Sequence, residues 1–274
     1  MAGGPSPRSS GAKALLYTIL GEFVLPAGGS AWTASLVSSL GALDVTEKNA
    51  RQAIARVAEQ GVVRSERFGR SVRWHLTASG RHILETGAER IYHLGEPYDW
   101  EGEWLVVHCP VPETKRPLRH QVRKRLAFEG FGELAPSLAV SPHVDRESSA
   151  REILTDLDLA ADSILLRART GSIATDRDLV ARAWTLDTLG SSYAEFIEGM
   201  RRWHPSTDED RFRSTVELVH RWRGFPFVDP ELPRALLPSD WAGGAAASCF
   251  RELRAAWSEG AQRWYASREP EQQG

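Results

Sequence analysis

Apolar residues recur along the first quarter of the chain at helical intervals. In AKALLYTILGEFVL, Leu15, Leu16, Ile19, Leu20 and Phe23 share one face, and Pro26-Ala-Gly-Gly ends the helix. A second helix, roughly Ala31 to Leu40, carries Trp32, Leu36, Val37 and Leu40, with Gly41 expected to close it as a C-cap. After the short turn ALDV, Thr46 stands as N-cap of a third helix; Asn49, where a capping box wants Glu or Gln, makes the cap incomplete. Ala50, Ala53, Ile54, Val57 and Ala58 form its apolar face, and Lys48, Asn49, Arg51, Gln52, Arg56 and Glu59 fall on the other. Past Gly61 the period changes. VVRSERF and SVRWHL are β-rich runs separated by Gly69-Arg70, the composition of a short hairpin. Helix, turn, helix, hairpin is the order of a winged helix-turn-helix.

Thr77-Ala-Ser-Gly80 then opens a helix with Ile83, Leu84, Ala88, Ile91 and Tyr92 as its expected inward face, and Pro97 to Gly102 makes a natural boundary. From Glu103 strands and helices alternate. WLVVHCPV, a short strand at Gly132, SLAVSP and SILLRA read as strands, KRPLRHQVRKRLAFEG and AREILTDLDLA as helices, approaching a βαββαβ ferredoxin-like order. After Thr170 come three Trp-rich candidate helices, DRDLVARAWTLDTLGSSYAEFIEGMRRW, TDEDRFRSTVELVHRWR and GGAAASCFRELRAAWSEGAQRWYASRE, with the Pro-rich FPFVDPELPRALLPSDW among them. The expected class is α+β: a disordered tail (1–11), a winged helix-turn-helix domain (12–96), a ferredoxin-like domain (97–172), a mostly helical C-terminal domain (173–268) and a second tail (269–274).

Length and composition fit this plan, since 274 residues suffice for two or three cores, and 42% hydrophobic with 26% charged residues is ordinary for folded chains. Charge alters the picture locally. The net charge of −2 hides a stretch from Lys48 to Arg73 with seven basic residues against two acidic ones. A cationic patch on a near-neutral chain points to a polyanion partner, here double-stranded DNA. The two cysteines, Cys109 and Cys249, lie far apart in apolar contexts and suit buried thiols in a reducing compartment better than a disulfide. No apolar run approaches the ~20 residues of a membrane span, and MAGGPSPRSSGAK lacks the apolar core of a secretory signal, so a cytoplasmic, membrane-free protein is expected.

A recognition helix enters the major groove with its N-terminal residues nearest the bases. Lys48, Asn49, Arg51 and Gln52 are therefore the candidates for base edges and Arg56 for phosphate. Arg67, Arg70 and Arg73 of the hairpin suit phosphate or the adjacent minor groove, and Arg64 is the weakest of the set. A polar helix face alone is as often merely solvated; the scarcity of acids across both helix and hairpin tips the balance. The helix with Lys115, Arg116, Arg119, Arg123, Lys124 and Arg125 offers a second phosphate surface or a seat for a CoA phosphate, although a solvated face is the commoner outcome. No G-x-S-x-G elbow, P-loop, three-glycine dinucleotide fingerprint, Cys pair or H-E-x-x-H occurs, and His75 and His82 straddle a strand-helix junction, so neither enzyme activity, metal nor cofactor is expected. Trp184, Trp203, Trp222 and Trp257 are more often core or interface than pocket wall.

The segment GEFVLPAGGSAWTASLVSSLGALDVTEKNARQAIARVAEQGVV, followed by RFGRSVRWHLTASGRHIL and AERIY, resembles the N-terminal domain of the PaaX family, repressors of phenylacetate catabolism. RLAFEGFGELAPSLAVSP is similar to the family's middle domain, whose fold resembles the small CRISPR adaptation nucleases. ARAWTLDTLGSSYAEF and LVHRWRGFPFVDPELPRALLPSDWAG resemble its C-terminal sequence, so the likeness covers nearly the whole chain. Where the family commonly closes the wing with Tyr-Arg-Leu-Thr, this chain has Trp74-His75-Leu76-Thr77, which moves a wing charge to Arg73. The first strand of the middle domain ends in His108-Cys109-Pro110 rather than a carboxylate cluster, so no nuclease activity is expected. The resemblance implies a repressor released from its operator by an acyl-CoA effector, typically phenylacetyl-CoA, and the two-fold symmetry of helix-turn-helix repressors adds a homodimer. The rival readings are a regulator of another pathway with a different small-molecule effector, and a nucleic-acid-processing enzyme built on the ferredoxin-like domain.

Overall fold

The first helix, α1 (Ala12–Ile19), does not stop where its α-helical hydrogen bonds do but widens into a π-helical turn, Leu20–Val24, in which the Leu25 amide reaches Leu20 O at 2.8 Å. A computed structural model describes residues 11–269; of the tails expected at 1–11 and 269–274, all but Gly11 and Glu269 lie outside the described residues. Gly28 and Gly29 then turn the chain at φ +95° and +81°, a region glycine enters without a Cβ clash. Strand β1 (Ser30–Trp32) follows, then α2 (Thr33–Gly41), α3 (Glu47–Glu59), β2 (Val63–Phe68), β3 (Ser71–Leu76) and α4 (Ala78–His93). The three strands form one antiparallel sheet in the order β1-β3-β2.

Three local expectations change here. The second helix starts at Thr33 instead of Ala31, because Ser30–Trp32 pairs with β3 in the register Ala31↔Trp74. Gly41 is the last helical residue and Ala42 the cap; the left-handed residue of the turn is Asp44, at φ +63°. Ile83, expected inside, is 48% exposed, leaving Leu84 as the buried anchor of α4.

The second half contains β4 (Trp104–His108), α5 (Arg116–Phe128), β5 (Gly132–Ala135), β6 (Leu138–Ser141), α6 (Glu147–Asp156) and β7 (Ile164–Ala168). Their sheet has the order β5-β6-β4-β7 with every neighbouring pair antiparallel, which is the ferredoxin-like arrangement of two interleaved βαβ units. Helices α5 and α6 cover one face through Val122, Leu126, Ile153 and Leu154 against Leu105 and Val107. On the other face Trp104 and Val140 pack with Val180, Leu232 and Leu236.

The helical segment holds four helices: α7 (Asp176–Ala183), α8 (Leu186–Arg201), α9 (Asp208–Trp222) and α10 (Gly243–Ala266). The long first candidate helix breaks at Trp184, which adopts φ −135°, ψ 151°. Thr175 and Thr207 each head a complete capping box, with Asp178 and Asp210 as the reciprocal acceptors, which fixes where α7 and α9 begin.

By compactness the chain forms two units, and the helical segment contributes to both. One comprises residues up to His93, Phe196–Arg223 and the chain from Ser248; the other comprises Leu94–Glu195 and Gly224–Ala247. The first unit has a core in which Leu16, Ile19, Phe23, Leu40, Ile54 and Val57 meet Phe212 and Val216 of α9 and Trp264 and Tyr265 of α10. Phe212 stacks on Trp264 with centroids 4.3 Å apart and touches Phe23 at 5.0 Å. Inside this core lies a charge: Glu22, 3% exposed, accepts from Arg254 Nε at 3.1 Å and Nη2 at 3.3 Å. Burial raises the Glu22 carboxyl above its usual range, and the arginine pulls it back.

Candidate nucleic-acid interface

Helix α3 is fixed in place by its apolar side. Ala50, Ala53, Ile54 and Val57 are all buried, and Thr46 Oγ1 accepts the Asn49 amide at 3.4 Å, satisfying one of the free N–H groups of the first turn. With that side sealed, the hundred-degree step of the helix leaves Lys48, Gln52 and Glu59 along the middle of the outward face, flanked by Asn49, Arg51 and Arg56. All of them are exposed.

Ala55 lies in the same row and is exposed too, a position that a search for polar residues passes over. Its spacing of three from Gln52 and seven from Lys48 was the available signal. A methyl at the centre of the face keeps the helix backbone close to whatever it meets, and is the group that pairs with a thymine methyl. Glu47, just outside the acid-poor stretch, is the second omission. Its Oε1 holds Arg51 Nη2 at 2.8 Å, in a pair whose side chains are 60% and 66% exposed.

The turn between α2 and α3 is braced by α9: Arg213 donates to Ala42 O and its Nη2 lies 2.9 Å from the Asp44 carboxylate. At the other end of α3, Thr77 Oγ1 donates to Gly61 O at 2.5 Å and accepts the Gly80 amide at 2.9 Å. A Cβ on Gly80 would lie 2.0 Å from Val62 O, so only glycine lets the start of α4 close against the base of the wing.

The wing is the hairpin of β2 and β3, with Phe68 opposite Ser71 and Gly69-Arg70 as its loop. Gly69 has φ +58°, as the first position of a type II′ turn requires. Strand alternation divides the wing arginines. Arg67 shares the face of Val63 and Ser65, and Arg70 is at the tip; both are exposed. Arg64 is exposed on the opposite face, beside Glu66 and Phe68.

Arg73 behaves differently. It is only half-exposed, faces Trp32 across the β1-β3 ladder, and holds its guanidinium 5.5 Å from that indole centroid, while Phe68 closes edge-on at 5.5 Å. The structure thus gathers Lys48, Asn49, Arg51, Gln52 and Arg56 on one helix and Arg67 and Arg70 on the hairpin, and draws Arg73 back into an aromatic cluster. His75, in the segment that departs from the family pattern, has Nε2 2.9 Å from the Glu66 carboxylate.

In the second unit α5 exposes Arg116, Arg123, Lys124 and Arg125, with Arg125 paired to Asp156 at 2.7 Å and Arg123 to Glu133 at 3.4 Å, while Arg119 is half-buried. Cys109 is buried and Cys249 half-buried, both as free thiols. Among the described residues, no three His, Cys, Asp or Glu side chains converge as a metal ion would need, and no helix is long and apolar enough to cross a membrane. Trp222 and Trp257 are core residues, whereas Trp184 and Trp203 line cavities.

Fold and exposed helix together define a winged helix-turn-helix protein that carries a ferredoxin-like module in the same chain. Three family models match it in succession: PaaX-like protein over residues 11–80, PaaX protein central Cas2-like domain over 97–180, and PaaX-like protein C-terminal domain over 184–267. The chain belongs to the PaaX family. It is 29% identical over 243 residues to the transcriptional repressor PaaX of Escherichia coli (strain K12), covering 85% of this chain and 76% of that protein. Among solved structures it matches the uncharacterized protein Rv0674 from Mycobacterium tuberculosis with a TM-score of 0.64 at 21% identity, over 92% of this chain and 97% of the other.

Proposed function

We propose that the chain is a sequence-specific, DNA-binding transcriptional repressor that acts as a homodimer and is released from its operator by a small-molecule effector, an acyl-CoA such as phenylacetyl-CoA or a related aromatic thioester. The observation that carries this reading is the outward face of α3, cationic and exposed from Lys48 to Arg56, in the same compact unit as a wing tipped by Arg67 and Arg70. Family membership and the repressor among the relatives support it.

Lys48, Asn49, Arg51 and Gln52 take the base edges, because the N-terminal turns of a recognition helix lie deepest in the groove. Arg56, Arg67 and Arg70 take phosphates, which fixes register and contributes the salt-dependent part of the affinity. Arg73 acts through Trp32, holding the wing at its angle and adding positive potential from beneath. Release requires that the effector bind the DNA-incompetent arrangement more tightly, since a ligand with equal affinity for both states shifts nothing.

Titrating the full chain onto its own upstream DNA, with and without a panel of acyl-CoA thioesters, tests the reading. Salt-steep binding that one thioester abolishes is the expected result. Binding that no thioester alters removes the effector claim, and turnover of the DNA removes the regulator in favour of an enzyme.

A further inference from the structure

The ferredoxin-like unit holds a cavity of about 350 Å³ between the sheet and α5, within the size range of small-molecule sites. Its floor is apolar and buried: Val107 from β4 and Cys109 just past its end, Val122 and Leu126 from α5, and Phe131. Its rim is charged. Arg119 and Arg123, one helical turn apart, both line it, and α5 carries no acidic residue between Thr114 and Phe128. Arg119 Nη2 donates to Val111 O at 2.9 Å, which holds that guanidinium over the mouth. Arg123 is 3.4 Å from Glu133, with side chains 66% and 36% exposed, a pair weak enough to exchange for another anion.

The β5–β6 turn forms one further wall and Trp184, placed by the break between α7 and α8, another. Its ring sits so close to Gly132 that a Cβ there would be 2.5 Å from Cε2. The same indole lines a second cavity in this unit, of about 600 Å³, to which Arg177 and Arg234 contribute. A half-buried aromatic wall, an apolar floor and a pair of arginines on one rim select a molecule with an apolar group at one end and negative charge at the other.

We infer that this cavity binds an amphipathic anion, an aryl or acyl group on the Val122, Leu126 and Phe131 floor with its charged end against Arg119 and Arg123. On binding, Arg123 exchanges the Glu133 carboxylate for the anion of the ligand. A free carboxylate and a CoA thioester share this chemistry. The volume admits the acyl group of a thioester and leaves its nucleotide outside, along the cations of α5. The role of the ligand as effector rests on the repressor reading above, while the binding itself is measured without DNA.

Isothermal titration of the full chain with phenylacetate, phenylacetyl-CoA and CoA alone tests the site. One of the two aryl-bearing probes is expected to bind, and CoA alone to bind at least tenfold more weakly than its thioester. Ala127→Trp, at an exposed position on the cavity lining, fills the mouth without touching the buried floor. Arg123→Gln removes a rim charge at a solvent-facing position. Each is expected to weaken binding about tenfold or more with the thermal midpoint of the free protein unchanged. No binding by any probe, CoA binding as tightly as its thioester, or unaltered affinity in both variants overturns the inference. If a probe binds but operator affinity on the same samples does not change, the site stands and the effector reading falls.

Discussion

Replacing Arg51 by alanine separates recognition from folding, and the structure sets the size of each effect. In the free protein Arg51 touches Glu47 at 2.8 Å across one helical turn, both side chains more than half exposed. Such helix pairs contribute about 0.3–0.5 kcal/mol, and alanine recovers part of that through its helix propensity. Arg51→Ala is therefore expected to move the unfolding free energy by less than ~0.5 kcal/mol. A bidentate contact to a base edge is worth ~1–3 kcal/mol of discrimination, a factor of roughly 5 to 150 in affinity for the right sequence. Glu47 competes with DNA for the same guanidinium, so Glu47→Gln is expected to tighten binding by about twofold, the value of the broken pair. Fluorescence anisotropy with upstream and shuffled duplexes at one salt concentration, run beside urea unfolding, reads all of this. Equal losses on both duplexes would reduce Arg51 to a phosphate contact. An unchanged affinity would remove it from the interface, and a loss of stability above 1 kcal/mol would show that the pair had been misjudged.

Three further outcomes follow from the packing. Arg254→Ala strands the Glu22 carboxylate at 3% exposure and is expected to lower stability by about 3 kcal/mol in urea melts, with Glu22→Gln in the same background restoring part of it; a loss below 1 kcal/mol would contradict the buried pair. Gly80→Ala drives a Cβ into Val62 O, and since the atom it meets is backbone the expected cost is ~1–3 kcal/mol together with weakened DNA binding, as the base of the wing shifts; wild-type stability would refute the close approach. Burial, with Arg146 nearby, lowers the pKa of His143, whose Nε2 lies 2.9 Å from Pro230 O. A depressed histidine contributes stability that is present above its unfolded pKa near 6.5 and is lost as pH falls toward the folded value, by at most about 1.4 kcal/mol per pH unit. His143→Gln is expected to flatten the decline of unfolding free energy below pH 6.5 by up to that slope; an identical pH profile would refute it. The comparison must be made against wild type, because the raised carboxyls of Glu22, Asp229 and Glu269 act with the opposite sign.

What the sequence disclosed was whatever local chemistry determines. Thr46 marked the start of α3, the β-rich runs on either side of Gly69-Arg70 marked the wing, and the order of strands and helices after Glu103 anticipated the sheet order β5-β6-β4-β7. What stayed hidden depends on partners distant in the chain. Ser30–Trp32 is a strand only because β3 lies beside it, and its residues otherwise continue a helical pattern. Trp184 breaks a plausible long helix because its ring packs on Gly132, some fifty positions away in the sequence. The same reason accounts for the helical segment: Phe212 and Trp264 join the core of the winged unit, while Leu232 and Leu236 join the sheet, and no period in the chain assigns them. At the candidate interface, exposure on α3 was legible from its apolar face, but the retreat of Arg73 onto Trp32 required the β1-β3 register.

The most direct measurement of the central claim is the salt dependence of DNA binding by the full chain, with the Lys48→Ala, Arg56→Ala, Arg67→Ala, Arg70→Ala quadruple variant as the comparison. If α3 and the wing form the interface, log K for upstream DNA falls linearly with log salt, the affinity exceeds that for shuffled DNA, and the variant loses about 0.9 in slope for each phosphate contact removed. A slope and affinity that are identical in the variant, or equal binding to upstream and shuffled DNA, would contradict the account.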